Sequence, residues 1–168
     1  MKVADICTRE VLFADRAASL QQAAALMREH HVGTLLVVAN AGEGPQVAGI
    51  VTDRDLVVEA VARGLDVNQT EIGRLASDKL AAVPASATVG EAIAAMKERG
   101  VRRLLVASET GALFGVVSID DLLGAVAHEV AELAHAVRRN IERESAERQP
   151  LPRPSPPAPV RIPAYAIA

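Results

Sequence analysis

The sequence predicts a mixed α/β fold made of two like units in tandem, followed by a C-terminal helix and a Pro-rich tail. An internal repeat is the first sign. Residues 18–37, "ASLQQAAALMREHHVGTLLV", align with residues 87–106, "ATVGEAIAAMKERGVRRLLV", at an offset of 69, with Ala23/Ala92, Met27/Met96, Val32/Val101 and the Leu-Leu-Val ends identical. The second sign is that "GIVTDRDL" (49–56) returns as "GVVSIDDL" (115–122) at an offset of 66. The third is length: 168 residues, half of them apolar, suffice for one sizeable core or two small cores sharing an interface.

Each copy reads as strand, helix, strand, strand, helix. "VLFA" and "LAAV" have strand character and lead into helices whose apolar positions are Leu20, Ala23, Ala24 and Met27, then Val89, Ala92, Ile93 and Met96. These fall at i, i+3, i+4 and i+7, the apolar stripe of an amphipathic helix. The strands "TLLVVA" and "RLLVA" follow, then turns ("NAGEGPQ", "SETGA"), then the strands "VAGIV" and "LFGVV". The change of offset falls in that turn, where extra length is tolerated. A second helix begins at once, from Asp53 to Arg63 with Leu56, Val57, Ala60 and Val61 apolar, and from Asp120 in the second copy. Two strand pairs and their helices leave too much apolar surface for either copy alone, so the copies are expected to pack on each other, with "GLDVNQTE" as a polar hinge. The divisions are residues 1–66, 67–130 and 131–168.

Composition removes several function classes. A net charge of −3 with interspersed signs gives no electrostatic footprint for nucleic acid. "MKVADICTREV" lacks the apolar region of a signal peptide, and no apolar run reaches the roughly 20 residues of a membrane span, so a cytoplasmic location is expected. One cysteine, Cys7, excludes an internal disulfide framework and reads as a small buried hydrophobe. No nucleophile stands beside a base, and no metal set is expected: His30 and His31 point apart, and His128, Glu132 and His135 read as a solvated helix face.

Thr52 with Asp55 and Ser118 with Asp121 have the spacing of a helix N-terminal capping box. Ser19 with Gln22 and Thr88 with Glu91 repeat it, so this chain uses such boxes as punctuation. Two of the boxes, however, follow an apolar strand directly. A hydroxyl, a carboxylate and helix N–H groups at the carboxyl end of a strand can also bind a ligand: the carboxylate accepts from a diol such as a ribose, and Arg54, Arg102 and Arg103 are candidates for phosphate oxygens. Both readings stand at this point.

These residues carry a family resemblance. From Val3 to about Val130, the "DICT" start, the "LQQAAALM" and "VGEAIAAM" helices, "GVRRLLV" and the two strand-to-helix elements resemble a tandem pair of CBS domains, a Bateman module. The resemblance implies two β-α-β-β-α units packed through their sheets, with clefts for an adenine nucleotide or S-adenosylmethionine and a homodimer paired through helices. It implies that Asp55 and Asp121 hold ribose hydroxyls, that Thr52 and Ser118 contact phosphate, and that Arg103 with Arg102 reaches phosphate. Val11, Leu12, Val51, Val83 and Val117 would line the base. The copies differ: Gly33 and Thr34 stand where the other has Arg102 and Arg103, so one occupied cleft is expected rather than two equivalent ones. The implied function is regulatory, reporting occupancy to a protein partner without a reaction of its own.

Beyond the second copy, Val126, Val130, Leu133, Val137 and Ile141 continue an apolar stripe, read as packing on the module or on a partner chain. "PLPRPSPPAPVRIP" cannot continue a helix and is expected to be a disordered tail.

Overall fold

The computed structural model describes residues 1–42 and 44–148; the Pro-rich tail lies outside them. After a short helix α1 (Val3–Ile6), the first copy runs β1 (Phe13–Asp15), α2 (Leu20–His30), β2 (Thr34–Ala41), β3 (Gly44–Thr52) and α3 (Asp53–Asp55). The second runs β4 (Ala82–Pro84), α4 (Val89–Arg99), β5 (Arg103–Ala107), β6 (Leu113–Ser118) and α5 (Ile119–Glu147). Each copy therefore has the expected β-α-β-β-α order. Each forms a three-stranded sheet with its middle strand parallel to the first and antiparallel to the third.

The helices begin and end where local chemistry dictates. Ser19 and Thr88 cap α2 and α4, each accepting from the backbone N–H three residues on. The caps at their far ends, His31 and Gly100, adopt the left-handed conformation, and each N–H closes onto the carbonyl of Met27 or Met96. Leu20, Ala23 and Met27 of α2, and Ala92 and Met96 of α4, are buried as the stripe predicts. Ala24 and Ile93 are not: they stay exposed on the outer shoulder of each helix.

The helix expected from Asp53 to Arg63 differs in kind. Only Asp53–Asp55 is α-helical, and Leu56–Val61 is a π-helix in which Ala62 N–H bonds Val57 O and Leu65 N–H bonds Ala60 O. The wider turn changes which side chains share a face. Ala60 is buried, while Val57 and Val61 face outward.

Cores form between each sheet and its helices, and they do not follow the linear division at 66/67. Val3 is fully buried among Val83, Met96, Leu104, Val117 and Leu122 of the second copy, and Ile72 among Leu20, Leu35, Val51 and Ala60 of the first. The exchange is reciprocal and obeys the repeat. Val3 N–H bonds Ala87 O at 2.8 Å as Ile72 N–H bonds Ala18 O at 2.7 Å. Thr8 pairs with Val116 on β6 as Ser77 pairs with Ile50 on β3. Burying each side chain contributes about 1.5–3 kcal/mol, so the segment preceding each copy fastens it to the other. Cys7 is half-buried against the second core.

Leu36 shows that the first sheet is covered on both faces, whereas its counterpart Leu105 in the second sheet is only partly buried. Alternation points Leu36 away from Leu35 and Val37, yet all three are fully buried. The expected hinge is also strapped down: Leu20 N–H bonds Thr70 O, Gln21 N–H bonds Val67 O, and Thr70 is buried.

Met1–His128 form one compact unit, and the described residues from Glu129 belong to a second. In the second, the described part of α5 is exposed throughout. Val130, Leu133, Val137 and Ile141 form its apolar stripe, each more than half exposed.

Candidate functional site

Ser118 ends β6 and Asp121 lies in the first turn of α5. The Ser118 N–H and hydroxyl both donate to Asp121 Oδ2, at 2.8 and 2.6 Å, and Asp121 N–H donates back to the Ser118 oxygen at 3.2 Å. Thr52 and Asp55 repeat this at 2.8, 2.7 and 3.3 Å. Thr88 and Glu91 make the same three bonds, so capping accounts for them fully.

The bonds leave one oxygen over. A carboxylate offers about four acceptor sites; Oδ2 is engaged, and among the described residues no hydrogen bond reaches Oδ1 of Asp55 or Asp121. Both residues are half-buried, so each keeps an acceptor that a diol could fill. The hydroxyls of Thr52 and Ser118 already give their protons to carboxylates, which leaves phosphate contacts chiefly to a cation.

The Ser118–Asp121 pair stands on the wall of a cavity of about 260 Å³. Val11, Leu12, Thr34 and Val32 come to it from the first copy, and Arg103, Val116, Ser118 and Asp121 from the second; Thr8, Glu10 and Gly33 complete the lining. Arg103 opens β5 directly across the ladder from Ser118. Among the described residues it makes no ion pair, so its charge is available.

Of the residues expected from sequence, Val11, Leu12, Arg103, Ser118 and Asp121 meet here. Thr52 and Asp55 sit at the duplicate junction and not on this wall. Arg54 is exposed on α3. Arg102 lines a different pocket, with Ile93, Met96 and Ile119, because adjacent residues entering a strand face opposite ways. Val51, Val83 and Val117 do not reach the cavity. They are buried in the two cores, Val51 in the first and Val83 and Val117 in the second. The period-two alternation gives the wall position to Val116 instead. Sequence reading missed Thr8, Glu10, Val32, Gly33, Thr34 and Val116; the signal for Val116 was its alternation with Val117.

Among the described residues no group of three or more His, Cys, Asp or Glu side chains gathers to hold a metal ion. No described helix is long and apolar enough to cross a membrane.

A family model for the CBS domain matches residues 3–61 and 72–128. Hypoxic response protein 1 of Mycobacterium tuberculosis is 37% identical over 118 residues, which span 70% of this chain and 80% of that protein. CBS domain-containing protein YhcV of Bacillus subtilis is 30% identical over 143 residues, 85% of this chain and 96% of that one. Among solved structures, Hypoxic Response Protein I with two coordinated zinc ions superposes with a TM-score of 0.59 at 34% identity, covering 73% of this chain and 97% of that chain. A proposed signal-transduction protein with CBS domains from Burkholderia ambifaria gives 0.64 at 30% identity, covering 75% and 93%.

Proposed function

The chain belongs to the CBS-domain family, and from that premise we propose that it is a regulatory module that binds an adenosine-containing ligand between its two copies and reports occupancy to a protein partner, with no reaction of its own. The observation that carries this reading is the inter-copy cavity, where the spare Asp121 oxygen and the Arg103 guanidinium share a wall with Val11, Leu12, Val32 and Val116. The carboxylate suits the ribose diol, the guanidinium an anionic substituent, and the aliphatic side chains a base. Because both copies contribute to the wall, a ligand there acts on their relative arrangement, and it signals through unequal affinity for two such arrangements.

The exposed apolar side chains of Val57, Val61, Ile93 and Ile119 support a homodimer joined through helices of the first unit. The stripe of Val130, Leu133, Val137 and Ile141 favours a second reading, a ligand-free scaffold that recruits its partner through α5.

Thermal unfolding with AMP, ADP, ATP, S-adenosylmethionine and NAD separates the two readings. A ligand that binds the native state at 100 times its Kd adds about 2.7 kcal/mol of stability. The sensor reading expects a shift with an adenosine compound that is lost in Asp121→Ala. No shift across the panel, with Asp55→Ala and Asp121→Ala both folded and only about 1 kcal/mol less stable, gives the scaffold instead.

A further inference from the structure

The internal duplication places Lys79 where the cavity has Glu10. Thr8 and Val116 exchange two backbone hydrogen bonds of 2.9 Å, and Ser77 and Ile50 exchange two of 2.9 and 3.1 Å. Val11 N–H bonds Arg9 O as Leu80 N–H bonds Asp78 O, and Leu36 N–H bonds Leu12 O as Leu105 N–H bonds Ala81 O. Segments 8–12 and 77–81 thus follow the same path along the two copies, bond for bond. Glu10 and Lys79 are both exposed, and Glu10 lines the cavity.

The surrounding charges do not cancel this inversion. Around the cavity, Glu10 and Asp121 face a single cation, Arg103. The neighbouring cation, Arg9, is drawn away: its guanidinium lies 4.7 Å from the Phe114 ring centre and donates to Ala4 O at 3.2 Å. In the other copy the equivalent segment carries Asp78 and Lys79 where Arg9 and Glu10 stand, so the backbone path accepts either charge at this position and does not itself require an acid there. A multiply charged phosphate chain in the cavity meets two carboxylates against one guanidinium and is repelled.

We infer that Glu10 sets the charge of the ligand this cavity accepts: beside Asp121 it restricts the cavity to an adenosine compound with at most one phosphate. This rests on the adenosine-ligand reading above and adds to it a residue that selects among adenosine compounds by charge.

The test is isothermal titration of the full chain with S-adenosylmethionine, AMP and ATP at low salt. Glu10→Lys is expected to tighten ATP by roughly tenfold while S-adenosylmethionine weakens. The effect shrinks at high salt, because screening shortens the reach of the charges. If adenosine compounds bind but Glu10→Lys does not change the preference between ATP and S-adenosylmethionine, the charge assignment is overturned and the ligand reading stands. If no adenosine compound binds the wild-type chain, both fall together.

Discussion

Gly115→Ala tests how the two copies are fastened. Gly115 is buried in β6 and its φ is not positive, so the substitution is a question of space and not of backbone strain. A Cβ there would sit 2.6 Å from Thr8 O and 3.1 Å from Cys7 Sγ, where ordinary contact begins at 3.4 Å. The segment must therefore retreat by about 0.8 Å. It is held by the two bonds of 2.9 Å between Thr8 and Val116, and such a retreat carries both past useful hydrogen-bond length. Two lost bonds cost about 2 kcal/mol, overpacking adds about 1 kcal/mol, and the stiffer unfolded chain returns roughly 0.4–1 kcal/mol. The net expectation is a loss of about 2 kcal/mol, read as a lower urea midpoint at unchanged slope. Gly124→Ala is the control: nothing lies within 4 Å of its Cβ position in α5, and it is expected to gain about 1 kcal/mol. A Gly115→Ala protein within about 0.5 kcal/mol of wild type would show that the leading segment does not hold the copies together.

Ile72→Ala and Val3→Ala should each destabilise the chain, by about 2–5 and 1.5–3 kcal/mol, although both lie outside the copy whose core they fill; a Val3→Ala protein as stable as wild type would refute the exchange of segments. The Glu91 carboxyl is held below its ordinary value of 4.5, first by the Thr88 backbone N–H and then by the Thr88 hydroxyl. Because the folded value is the lower one, the cap contributes stability above pH 4.5 and loses it as the pH falls through the folded value. Urea titrations across that acid range should show the advantage of wild type over Glu91→Gln shrinking as the pH drops, and a constant advantage would refute the assignment.

The repeat, the order of elements and the capping boxes were legible in the sequence because each is a short-range effect. A stripe at helical spacing, a hydroxyl three residues before an acid, and a Gly-rich turn act within a few residues of themselves. Ser118 and Asp121 could therefore be paired from spacing alone. The partial misreading of the cavity wall has an equally local cause: Val116 and Val117 are neighbours of like character, and only strand orientation decides which one meets the core. The π-helical turn at Leu56–Val61 carried no signal, since Leu, Val and Ala suit an ordinary helix as well.

By itself, then, the sequence determined the family, the duplicated β-α-β-β-α order and the residues at each strand-to-helix junction. Only the tertiary structure decided that Val3 and Ile72 cross to opposite cores and that Glu10 reaches the wall shared with Asp121. Those outcomes depend on contacts between residues about 50 to 110 positions apart in the chain, as from Ile72 to Ala18, from Val3 to Ala87 and from Glu10 to Asp121. Periodicity records which face of an element is apolar; it does not record which distant segment covers that face.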